Sequence, residues 1–175
     1  MTLSATQLVG FMGHADAGET EVAVAQAAGT VIGTMTARAG LAAAFDSTTA
    51  QTVAQSAASN AGTLWGTCGK DWGVGLTKKI SYFKCYASSN GGFNDDGLDG
   101  MNIAITLRGS ATDDSGSQDS GTLLHTIDNF NNAVDLTKEV LVVTTQTHFR
   151  FVWVQVVSTG GTQAVISEIE FKELV

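Results

Sequence analysis

From residue 72 onward the chain is divided into short runs of mixed apolar and polar residues, most of them stopped by a cluster of turn-forming residues. The runs are "WGVGLTKKISYFKCYASS", "MNIAITLRGS", "GTLLHTIDNF", "EVLVVTTQ", "HFRFVWVQVVS" and "AVISEIEFKEL"; the separators are "SNGGFNDDGLDG", "SATDDSGSQDSG", "NNAVDLTK" and "STGGTQ". β-branched and aromatic residues, which suit a pleated surface, fill the runs. Ile103, Ile105 and Leu107 recur at the two-residue period that places side chains on one face of a strand. Gly, Asn, Asp and Ser in the separators supply tight turns and positive φ angles. No long amphipathic helix interrupts the series. About eight short strands joined in this way predict an all-β sandwich or jelly roll.

The upstream third is less regular. Residues 1 to about 30 are rich in Ala, Gly, Thr and Val and read as an N-terminal arm or early strands. Val22, Val24 and Gln26 alternate, which points to a first strand near residues 21 to 25, with a short Ala-rich helix as the competing reading. "STTAQTVAQSAASNAGT", residues 47 to 63, is small, polar and without an apolar face, and is expected to be a surface loop. The 175 residues fit one domain. The division is therefore an arm over 1–30 and a β-sandwich over 31–175.

Charge narrows the function. The net charge is −8 and only nine Lys and Arg are present, scattered along the chain, which argues against nucleic-acid binding because phosphate attraction needs clustered cations. No stretch approaches the roughly 18 apolar residues of a membrane span, and "MTLSATQLVGFMGHADAGE" lacks the basic start of a secretory signal. Cys68 and Cys85 stand outside any CxxC or Cys/His metal spacing and are expected to remain buried free thiols, with a disulfide between them as the alternative. His14, His125 and His148 form no HExxH spacing and no GxSxG nucleophile motif is present.

Several landmarks in fixed order resemble the coagulation-factor type C or discoidin domain. They are "AAAFDSTTAQT", "LWG…DWGVGL", "ISYFKCYAS", "IAITLRGSATDD", "THFRFVWVQVVS" and "ISEIEF", over roughly residues 30 to 175. Two departures stand out: Ser47 replaces the usual glycine after the aspartate, and "VGLTKK" replaces an acidic strand ending. The resemblance implies a galactose-binding-like jelly roll, a fold shared by many carbohydrate-binding modules. It also implies a structural calcium ion held by side chains of Asp46, Thr52 and Glu168, a chemistry suited to a hard cation that takes six or more oxygen ligands. The competing reading leaves Asp46 capping its own turn and Glu168 and Glu170 facing water.

A sugar site is expected where Phe93 stacks on a ring face and Asn90, Asn94 or Asp95 bond hydroxyls, with Trp65 as a second aromatic at a loop rim. A solvated acidic loop is the alternative for residues 89–102. The opening "MTLSATQLVGFMGH" is similar in style to small bacteriophage virion proteins. The combined expectation is a non-enzymatic virion protein of a capsid or tail, made in the host cytoplasm. It would contact itself as a homo-oligomer and other virion proteins, without nucleic acid or membrane insertion. The alternative is an adhesion module for host cell-surface glycans.

Overall fold

The alternating runs become strands because their apolar positions fall on one side of each pleat and can be buried together. The computed structural model describes residues 19–49, 53–57, 64–88, 92–93, 102–131, 137–140, 147–159 and 163–175. Among these, twelve strands are present: β1 Glu21–Ala23, β2 Thr30–Gly33, β3 Ala37–Arg38, β4 Ala54–Gln55, β5 Leu64–Asp71, β6 Ile80–Tyr86, β7 Asn102–Ser110, β8 Thr122–Asn131, β9 Thr137–Val140, β10 Phe151–Ser158, β11 Val165–Ile166 and β12 Glu168–Leu174. One short 3₁₀ turn spans Leu41–Phe45.

The strands form a four-stranded sheet, β1-β12-β6-β9, a five-stranded sheet, β2-β5-β10-β7-β8, and a small sheet, β11-β4-β3. Every pairing is antiparallel. Ile103, Ile105 and Leu107 of β7 and Val152, Val154 and Val156 of β10 meet Phe83 and Cys85 of β6 and Ile169 and Phe171 of β12 in one buried cluster. This is the core of a sandwich closed by two sheets. Cys68 and Cys85 lie inside it as free thiols, and burial pushes both thiol pKa values far up, so neither supplies a thiolate.

Two sequence expectations change here. Residues 53–56 are buried, within the stretch expected to be a surface loop. The small side chains allow β4 to pair with β11 and β3, and its polar groups are satisfied internally: Gln55 bonds Gln163, and the Ala164 N–H donates to Ser56 Oγ at 2.9 Å. The loop of residues 111–121 is also more than a turn, because it covers the face of the five-stranded sheet opposite the core. Arg108 donates from Nη1 to the Asp119 carbonyl at 2.7 Å and from Nη2 to Asp119 Oδ1 at 2.8 Å, while Gln155 Oε1 accepts the Asp119 N–H at 2.9 Å. Trp153 is thereby fully buried. Close approach requires glycine at two places around this residue: a Cβ at Gly121 would stand 2.5 Å from the indole, and one at Gly69 would stand 2.5 Å from the Trp153 Cα.

Candidate functional site

The last strand organises the candidate site. Ile169 and Phe171 point into the core, so Glu168, Glu170 and Lys172 share the opposite face by the two-residue period. β12 pairs with β6 along one edge, setting Glu168 opposite Tyr86, Glu170 opposite Lys84 and Lys172 opposite Tyr82. Along the other edge β1 pairs only as far as Ala23 with Lys172, and one further bond runs from the Val24 N–H to the Phe171 carbonyl. The chain then turns away, the Ala28 N–H bonding the Ala25 carbonyl. The next edge acceptor, the Ile169 carbonyl, is taken by the side-chain amide of Gln26 at 2.9 Å.

Where β1 leaves β12, the turn after the 3₁₀ segment comes in. Its geometry is local: the Thr48 N–H donates to Asp46 Oδ1 at 3.0 Å, and Ser47 takes φ +64°. A groove of about 400 Å³ results, walled by Ala23, Val24 and Ala25, by Gln26, by Ser47 and Thr49, and by Tyr82, Glu168, Glu170, Phe171 and Lys172.

Glu168 is the anomaly of this groove. It is 2% exposed, and among the described residues neither carboxylate oxygen has a hydrogen-bond partner. Burial and the neighbouring Asp46 carboxylate raise its pKa to about 7, while the backbone N–H groups of Ser47, Thr48 and Asp46 draw it back without reaching hydrogen-bonding geometry. Lys70, a cation in electrostatic reach of Glu168, is committed: Nζ donates to the Gln26 carbonyl at 2.7 Å and lies over the Phe45 ring at 4.2 Å. A buried carboxylate that accepts no hydrogen bond among the described residues, beside a lysine committed elsewhere, leaves room for an ion, a water or a ligand.

The reading without a metal is met at Asp46 and not at Glu168. Asp46 does cap its own turn, and it is exposed. Glu168 is not on a wet face; it is buried beside that turn. A hard cation fits the Glu168 carboxylate, with Asp46 as the second acidic group in electrostatic reach. Thr52, the third expected ligand, lies outside the described residues. Among the described residues no three acidic, His or Cys side chains cluster, so such an ion would draw further oxygens from hydroxyls or backbone carbonyls.

The expected sugar residues are not brought together. Phe93 is a correction: it is completely buried in the core cluster. The mutual pairing of Ser88 and Gly92 directs the chain inward just before it, and burying such a ring is worth about 2–3 kcal/mol. A ring with no exposed face cannot stack on a sugar. Trp65 stands in β5, half-buried on the outer face of the five-stranded sheet, in register with Val157 and, beyond it, Ala104. Asn90, Asn94 and Asp95 lie outside the described residues, as do residues 1–18, which carry the virion expectation. Gln26, Ser47, Thr49, Tyr82 and Lys172 were missed. The alternation of Glu168, Glu170 and Lys172 was the available signal for the sheet face, but the departure of β1 that opens it leaves no mark in the sequence.

No family model matches the chain, and no curated protein resembles it in sequence. Solved structures do match in fold. The family 32 carbohydrate-binding module of NanJ from Clostridium perfringens, solved in complex with galactose, aligns at 18% identity and a TM-score of 0.58 over 88% of this chain and 100% of that one. A family 62 carbohydrate-binding module of Xyl5A from Clostridium thermocellum aligns at 21% identity and a TM-score of 0.55 over 82% of this chain and 92% of that one. A fucose-binding module from Streptococcus pneumoniae aligns at 13% identity and a TM-score of 0.53, covering 85% and 94%. Identity at this level speaks to architecture alone, and in architecture the chain is a jelly-roll β-sandwich like these modules.

Proposed function

We propose that the protein is a non-catalytic carbohydrate-recognition module with a divalent cation held at its last strand. The observation that carries the reading is the groove beside Glu168, a concave site with convergent polar groups and an apolar wall on this fold. Calcium is the fitting ion, with the Glu168 and Asp46 carboxylates as its acidic ligands. Its chemistry there is neutralisation of the buried carboxylate and fixation of the turn of residues 46–49 against β12. The fold's frequency among sugar-binding modules supports the glycan reading by analogy. A capsid or tail role is a further proposal from the N-terminal opening, and no described residue favours it.

A glycan array probed with the purified chain tests the proposal. Saturable binding to a defined saccharide class is expected; an array without signal, in calcium and in chelator alike, removes the recognition function.

A further inference from the structure

We infer that the groove between the Gln26 segment, the turn of residues 46–49 and β12 is the saccharide site itself, and that it takes a neutral sugar. This rests on the glycan-recognition reading above and locates it.

The groove presents unspent hydrogen-bonding capacity on three sides. Glu170 accepts the Tyr86 hydroxyl through Oε1 at 2.9 Å, which leaves Oε2 as an acceptor. The Gln26 amide donates through Nε2 to the Ile169 carbonyl, which holds its Oε1 in place. Ser47 and Thr49 add two exposed hydroxyls from the opposite wall. A pyranose matches this set, because its hydroxyls both donate and accept while its C–H faces need an apolar surface. Ala23, Val24 and Ala25 with Tyr82 supply that surface. The volume of about 400 Å³ lies within the range of small-molecule sites.

Charge selects against ionic ligands. The Glu170 carboxylate lines the groove and is not among the cation's ligands, which disfavours a carboxylated or sulfated sugar. Lys172 lines it too, already paired with Glu21 at 3.0 Å and lying over Tyr82 at 4.5 Å, which disfavours an ammonium. A hydroxyl-only sugar is compatible with both walls.

Calorimetric titration of the full chain with galactose, fucose, glucosamine and glucuronate, in calcium buffer, tests the inference. Galactose or fucose is expected to bind, and the two charged sugars to bind at least tenfold more weakly. Thr49→Trp, which places an indole in the groove from an exposed position, is expected to abolish binding while the melting temperature is kept. Glu170→Gln is isosteric and exchanges a charged acceptor for a neutral one, so it is expected to weaken binding about tenfold. Full-strength binding in both variants overturns the location, as does loss confined to Trp65→Ala, which would move the site to the five-stranded sheet. Tighter binding of a charged sugar overturns the selectivity. If none of the four sugars binds and the array is also silent, the recognition reading falls and the inference falls with it.

Discussion

At the scale of single residues, Glu168 makes the sharpest prediction. Its carboxyl is raised from 4.5 to about 7 in the folded chain, so between these values the folded state keeps a proton that the unfolded state has lost. Stability from this group is therefore fully present below pH 4.5 and is lost as pH rises through 7, a change on the order of 3 kcal/mol. His125 works in the opposite sense: burial lowers its pKa, so its contribution grows as pH rises toward 6.5. Urea unfolding in chelator at pH 5 and pH 8 should show a fall for the wild-type chain that Glu168→Gln removes. An equal fall in both chains would assign the pH dependence elsewhere. A second residue-scale prediction concerns Gly69, where an added Cβ would lie 2.2 Å from the Val152 carbonyl oxygen. Neither neighbour is a flexible side-chain end, so Gly69→Ala should cost about 3 kcal/mol in the same assay. By contrast Val74 is 86% exposed, and Val74→Ser should change stability by less than about 0.5 kcal/mol.

At the scale of elements, the loop of residues 111–121 behaves as a strap over the five-stranded sheet. Its acidic and serine-rich sequence reads as a plain turn, since nothing local announces that Arg108 and Gln155 will reach it from β7 and β10. Arg108→Ala removes three hydrogen bonds to Asp119 and Ser120. Hydrogen exchange across residues 114–120 should then accelerate by about tenfold or more while β5, β10 and β12 stay protected; unchanged exchange would mean that Gln155 and the Thr67 hydroxyl, which donates to the Ser115 carbonyl, hold the strap without it. The core strands, in contrast, were legible. Ile103, Ile105, Leu107, Ile169 and Phe171 are inward as their alternation requires, because burial of one face of a pleat fixes which side chains face in. Phe93 and residues 53–56 were misread for a physical reason. Both sit in polar, glycine- or serine-rich surroundings, and only tertiary contacts such as the Val165 N–H to Phe93 carbonyl bond carry them inside.

At the scale of the whole molecule, a sandwich closes over its core and leaves one rim of the four-stranded sheet open where β1 parts from β12. The fold was legible from the order of landmarks, but the site was not, since it gathers side chains from positions 23 to 172 that no local pattern links. Cation binding should register globally. Adding calcium to chelator-treated protein at pH 8 is expected to raise the melting temperature by about 5 °C or more at saturating concentration, and Glu168→Gln should abolish the rise; equal rises in both chains would move the ion to other ligands. The recognition function is tested most directly by titrating the full chain with galactose and fucose under calcium and following the heat to saturation. A one-to-one isotherm that Thr49→Trp eliminates is expected. Flat heats for both sugars, together with a silent glycan array, would contradict a recognition function.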